Sequence, residues 1–165
     1  MNILTTERLR LRQYQAGDKD DFIVVVTDQD VMKHVEHGAV NLETATSWWN
    51  QIINTELKGF RWRAELTSDG SFCGHAMLNE YARKESYELG YILKKSMWGQ
   101  GYATEIATAV KQFANNSLGL EEIYATVDDD HHASIHVLEK TGFSFLEYDF
   151  DEAGRFSVFI NRLIT

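Results

Sequence analysis

Leu9 and Leu11 alternate with Arg8, Arg10 and Arg12, so Glu7 to Tyr14 reads as a half-buried strand. Gly17 and Asp18 end the alternation and open a helix carrying Phe22, Val25 and Val26. Asn41 offers a side-chain oxygen to the first turn of a second helix, in which Ala45, Trp48, Trp49, Ile52 and Ile53 return on one face. Alternation resumes at Phe60, Trp62, Ala64 and Leu66, turns at Asp69-Gly70 and continues from Phe72 to Leu78, which predicts a hairpin. Tyr87 to Leu93 reads as a further strand. Gly99 and Gly101 then precede a helix with Ala103, Ile106, Val110 and Phe113 inward, closed by Gly119. Ile123 to Val127 forms a strand, and a short helix runs from near Asp130 to Gly142. Two last strands, Phe143 to Phe150 and Phe156 to Leu163, are joined at Ala153-Gly154.

This order predicts an α/β (α+β) fold: a mixed, mostly antiparallel sheet of about seven strands flanked by helices. With no proline, repeat or low-complexity linker, residues 1–165 are expected to form a single domain.

Composition narrows the partners. A formal net charge of −9 repels nucleic-acid backbones and excludes a general DNA or RNA binder, whereas cationic amines and basic peptides are attracted. No stretch is apolar for long enough to span a bilayer, and Met1 to Arg12 lacks the pattern of a secretory signal. Cys73 is the single cysteine, which rules out an internal disulfide. A cytoplasmic protein is expected, with no membrane partner and with a homodimer left open.

The stretch from Glu88 to Thr104 carries the chemistry. A strand ends, a loop with Gly99 and Gly101 turns, and a helix begins at once. Free N–H groups and the positive helix end favour an anion there, and neither glycine has a Cβ to keep a phosphate from the backbone. Thr104 stands where a dinucleotide fingerprint needs its third glycine, and no Gly-Lys-Ser/Thr ending marks a P-loop.

Glu88-Leu89-Gly90-Tyr91 followed by Trp98-Gly99-Gln100-Gly101-Tyr102-Ala103-Thr104-Glu105 resembles the GNAT superfamily of N-acetyltransferases, whose pyrophosphate loop reads Arg/Gln-x-x-Gly-x-Gly/Ala. The branch that acetylates ribosomal-protein N-termini is the most similar. Thr6-Glu7-Arg8-Leu9-Arg10-Leu11-Arg12 looks like its opening strand, and Ala133 to Phe143 looks like its helix and Gly-Phe strand start. Two positions depart from the pattern: Ser96 replaces the Arg or Gln, and His131 replaces an Asn three residues before Ser134. The resemblance implies acetyl-coenzyme A as donor. It implies Leu93, Trp98, Gly99, Gln100, Gly101, Tyr102, Ala103 and His131 as the residues that hold it. It also implies an amine acceptor, either a ribosomal or other protein N-terminus or a small cationic amine. The contrasting expectation is a sensor that binds an acyl-coenzyme A without transfer.

Acetyl transfer needs a neutral amine, a polarised thioester carbonyl and a proton for the departing thiolate. The resemblance assigns polarisation to backbone N–H groups at the end of the Tyr87 to Leu93 strand. Many superfamily members place an acidic tyrosine where Leu138 stands, and the ribosomal-type branch places a serine one turn earlier, matched by Ser134. For the base, Glu88 is the first candidate, beside Glu85, Glu147, Glu152 and the loop from His34 to Gly38. His132 and His136 lie four apart on a helix after three aspartates, but spacing supplies no further ligand, so no metal is expected. Cys73 reads as a packed thiol.

Overall fold

The computed structural model describes residues 2–35 and 37–163. At Thr6 the first alternation breaks in two. The Thr6 hydroxyl accepts from the Leu9 N–H at 2.9 Å, and the Thr6 N–H donates to the Leu9 carbonyl at 2.9 Å. Leu4–Thr5 (β1) thereby folds back on Leu9–Arg12 (β2). Two residues are too few for alternation to show, so among the described residues the sheet has eight strands where the sequence predicts about seven.

The other elements follow in the expected order. They are Lys19–Thr27 (α1), Leu42–Ile53 (α2), Phe60–Leu66 (β3), Phe72–Tyr81 (β4), Ser86–Leu93 (β5), Tyr102–Asn116 (α3), Glu122–Val127 (β6), His132–Lys140 (α4), Ser144–Asp151 (β7) and Gly154–Arg162 (β8). Asn41 caps α2 through its side-chain oxygen, which accepts from the Thr44 N–H at 2.9 Å. Gly119, at φ +65°, lies two residues beyond the Ser117 cap of α3, and its N–H donates to the Asn115 carbonyl.

The spatial strand order is β1-β2-β3-β4-β5-β6-β8-β7, and every neighbouring pair is antiparallel except β5 with β6. Each face of the sheet has its own core. On one, Trp62, Leu78, Leu89 and Ile123 pack with Ile106, Val110 and Phe113 of α3 and Leu138 of α4. On the other, Tyr14 and Phe72 pack with Phe22 and Val25 of α1 and Trp49 of α2. Full burial of each such side chain contributes roughly 1.5–3 kcal/mol, so both helix layers are pinned to the sheet. No helix among the described residues is long and apolar enough to cross a membrane.

Candidate active site

The one parallel pairing leaves a gap. β5 pairs with β4 along its whole length, from Ser86 to Leu93, but with β6 only at Glu88 and Tyr124. The far edge of β6 is occupied by β8. From Leu89 to Leu93, β5 therefore has one edge without a strand partner, and apart from the Leu93 carbonyl, which accepts from the Trp98 indole, its polar groups there look to water or a ligand.

The loop expected to hold a diphosphate closes one end of this gap. The Trp98 indole N–H donates to the Leu93 carbonyl at 3.1 Å, and the Gln100 side-chain amide donates to the Ser96 carbonyl at 3.1 Å. Gly99 and Gly101 have φ of +73° and +85°, a conformation that costs glycine nothing but strains other residues. Nothing lies within 4 Å of where a Cβ on Gly99 would stand. Gly101 is the N-cap of α3 and brings no side-chain acceptor, so the first N–H groups of Tyr102 and Ala103 remain for an anion at the positive helix end. Open space, glycine backbone and unclaimed donors fit the pyrophosphate of coenzyme A.

Side chains approach the gap from both faces. Tyr91 and Leu93 point toward the α3 core. The Tyr91 hydroxyl stands 3.0 Å from that of Ser134, in the first turn of α4. Burial pushes the Tyr91 phenol above its usual pKa, although the bond to Ser134 pulls the other way. Tyr91 lies within the Glu88 to Tyr91 motif, where nothing local assigns it a contact.

Glu88 faces the opposite side, where it lines an open pocket of about 220 Å³ with Tyr81, Thr126, Asp128, Asp151 and His34. The Thr126 hydroxyl donates to its carboxylate at 3.2 Å. Arg83 and Arg155 also reach this pocket, and they pair with Asp149 and Asp129. The Tyr81 hydroxyl is buried without a partner among the described residues. Of the other candidate carboxylates, Glu147 pairs with Lys84, and Glu85 and Glu152 sit in turns and do not line the pocket, although Asp151 and Ala153 beside Glu152 do. The loop from His34 to Gly38 does border the pocket through His34, although Glu36 lies outside the described residues.

His131 forms the N-cap of α4, and its ring stacks on His34 with centroids 4.2 Å apart. Burial, and secondly the neighbouring His34, push its pKa below the usual value. Asp128 and Asp130 converge on His34 Nδ1 at 3.5 and 3.6 Å, and among the described residues His132 and His136 join no such group. Cys73 is fully buried, and burial pushes its thiol up to about 12, so it presents no thiolate at neutral pH.

Comparison with known proteins identifies the family. The model of the acetyltransferase (GNAT) domain family matches residues 8–144. The N-acetyltransferase YnaD of Bacillus subtilis is 26% identical over 139 residues, covering 84% of this chain and 81% of its own length. YkkB of the same organism is 30% identical over 147 residues, covering 86% and 85%. Among solved structures, a GNAT-family acetyltransferase from Bacillus anthracis superimposes with a TM-score of 0.86 at 22% identity, covering 98% of this chain and 99% of that one. A spermidine N-acetyltransferase from Vibrio cholerae, solved with CoA and spermine, gives 0.82 at 16% identity, covering 96% and 97%. The chain therefore belongs to the GNAT acetyltransferase family and is an N-acetyltransferase whose donor is acetyl-coenzyme A.

Proposed function

We propose that the protein acetylates a primary amine of a small cationic acceptor seated in the acidic pocket beside Glu88. The observation that carries this reading is the position of Glu88 and Ser134. Glu88 is the residue of β5 paired with β6 and opens on the pocket, and three residues further along, Tyr91 meets Ser134 on the opposite face.

In this reading the loop Trp98, Gly99, Gln100, Gly101, Tyr102 and Ala103 cradles the pyrophosphate through backbone N–H groups. Leu93 and the unpaired edge of β5 border the pantetheine arm, and His131 meets the cofactor near the start of α4. Acetyl-coenzyme A supplies the acetyl group as a thioester. Glu88 takes a proton from the acceptor ammonium and frees the lone pair that attacks the carbonyl carbon. Backbone N–H groups of β5 draw charge from the carbonyl oxygen. As the new C–N bond forms and the C–S bond breaks, the nitrogen gives up its second excess proton to water. Ser134 passes its hydroxyl proton to the sulfur and regains one from water, leaving a neutral amide and the free thiol.

The acceptor class follows from the pocket wall. Thr126 touches Glu88, and Asp128, just past the end of β6, lines the same wall with its carboxylate 3.5 Å from His34 Nδ1. The nearby arginines are paired with other aspartates, which leaves this wall acidic. The Tyr81 side chain lines the same pocket, with its hydroxyl buried. A short diamine places one amine at Glu88 and its second ammonium at Asp128. The Vibrio cholerae spermidine N-acetyltransferase shares the fold and is named for a longer polyamine with the same primary amines at its ends.

The test is thiol release from acetyl-coenzyme A with short α,ω-diamines, a monoamine of equal length, and peptides with free N-termini. The diamines should exceed the monoamine in kcat/KM by about tenfold or more, the effect of one added ion pair in a partly buried site. Preference for peptides would transfer the reading to the ribosomal-type branch. Equal use of monoamine and diamine would remove the role of Asp128.

A further inference from the structure

Ser96 leaves the diphosphate loop without the Arg or Gln side chain of the family pattern. A different residue, from the far end of the chain, sits against the loop instead. Arg8 lies in the turn between β1 and β2, and its Nη2 donates to the Gln100 carbonyl at 2.8 Å. Its Nε donates to Glu105 Oε1 at 2.5 Å, and its guanidinium lies 4.4 Å from the centre of the Tyr102 ring. Glu105 is fixed in turn, because its other carboxylate oxygen accepts from the Thr6 hydroxyl and the Arg8 backbone N–H. One side chain thus touches the loop, the first residue of α3 and the fourth.

The bond to Gln100 has a consequence for the cradle. The Gln100 carbonyl and the Gly101 N–H belong to one peptide unit, and in a trans peptide they point in opposite directions. Holding the carbonyl toward Arg8 aims the Gly101 N–H away from Arg8. Glycines on both sides of Gln100 offer little steric resistance to rotation of that peptide, since glycine occupies positive and negative φ about equally. Rotation would abandon the φ of +85° at Gly101 and turn its donor inward.

We propose that Arg8 is a positioning residue of the coenzyme A site: by holding the Gln100 carbonyl it fixes the peptide that presents the Gly101 N–H to the pyrophosphate. This rests on the reading of Gly99 to Ala103 as the diphosphate cradle. Arg8 acts by shape more than by charge, because Glu105 already neutralises it. A lysine has no planar fork and cannot hold Gln100 and Glu105 together, so charge alone does not replace it.

The experiment compares Arg8→Lys and Arg8→Met with the wild-type chain. Coenzyme A affinity is measured by calorimetry, and KM is measured separately for donor and acceptor, with circular dichroism and melting as checks on folding. Both variants should bind coenzyme A about tenfold more weakly or worse, the cost of one lost charge-assisted hydrogen bond and its geometry. Donor KM should rise while acceptor KM stays near its wild-type value, a split that loosening of the whole fold would not produce. Where Arg8→Met fails to fold, Arg8→Lys decides. Undiminished coenzyme A affinity in folded Arg8→Lys overturns the proposal, as does an equal rise in both KM values. A wild-type chain that takes up no coenzyme A overturns the reading of the loop itself, and is seen before any variant is made.

Discussion

The hydroxyls of Tyr91 and Ser134 stand 3.0 Å apart, one on β5 beside the strand gap and the other in the first turn of α4. Leu138 occupies the place where a tyrosine often serves as acid in this family, so the pair brings a phenol to the same region from the sheet side. With the Tyr91 hydroxyl as donor in this bond, the Ser134 proton is left for the gap and has a source of replacement. Ser134→Ala should therefore lower kcat by roughly a hundredfold, the small end for positioned acids, because a thiolate already leaves well. Tyr91→Phe keeps the packing and should cost less. Steady-state turnover with calorimetric coenzyme A affinity checks both. Unchanged turnover in Ser134→Ala makes water the acid, whereas affinity that collapses with turnover makes Ser134 a cofactor ligand.

Gly101 combines a positive φ with a close neighbour. A Cβ there would stand 3.2 Å from Arg8 Nη2, and a β-branched side chain at φ +85° is strained. Gly101→Val should lower stability by about 1–3 kcal/mol and weaken coenzyme A binding by about tenfold or more. Thermal melting and calorimetry measure the two separately. A folded variant with wild-type affinity would remove the loop from the binding site.

Most of the fold was legible because apolar spacing on α2, β3, β4 and α3 is regular, and Asn41 and Gly119 mark helix ends by local chemistry alone. β1 was not, since a two-residue strand exists only through its partner. The loop from Trp98 to Ala103 was legible for a similar local reason: glycines, strand and helix are contiguous. Arg8, Tyr81 and Tyr91 were not. Their roles arise where residues distant in sequence meet, Arg8 with Gln100, Tyr91 with Ser134, and Tyr81 with the wall formed by β5 and β6. Glu88 could be nominated among several acids, but only the fold separates it from the Lys84-paired Glu147.

That separation gives a direct comparison. Glu88→Gln keeps an acceptor for Thr126 but cannot take the acceptor's proton. It should lower kcat/KM by roughly a hundredfold at neutral pH, with coenzyme A affinity retained. The loss should shrink at high pH, where more of the amine arrives already neutral. Glu147→Gln should stay within about twofold of wild type, since it breaks only an exposed pair. If Glu147→Gln is the slower enzyme, the base lies across the sheet edge and not in the pocket. A Glu88→Gln loss that does not shrink as pH rises would mean that Glu88 binds the acceptor without deprotonating it.

His75 supplies a pH dependence unconnected with catalysis. It is 4% exposed, its Nδ1 stands 2.9 Å from the Tyr14 hydroxyl, and the rings of Tyr14 and Phe22 enclose it. Burial, with the nearby Arg61 charge second, pushes its pKa down from 6.5 to about 3. Above pH 6.5 the imidazole is neutral in both folded and unfolded chains and does not affect the balance. Between 6.5 and about 3 the unfolded chain accepts a proton that the folded chain refuses, so stability falls as pH falls, by up to ~1.4 kcal/mol per pH unit. Asp18 and Glu105 have folded pKa values below their ordinary ones, so their contributions are lost only at lower pH, through and below the usual carboxylate range. The interval from pH 6.5 to about 5.5 thus isolates histidine, where His131 adds a second part. His75→Gln can keep a hydrogen bond to Tyr14 without titrating. Its stability at neutral pH will differ from wild type, so the comparison is of slopes: denaturant midpoints of the wild type should fall across this interval, and those of His75→Gln should fall clearly less. Parallel slopes would show that His75 protonates within the fold, by water entry or by movement of Tyr14, and that α1 and α2 do not seal it against the sheet.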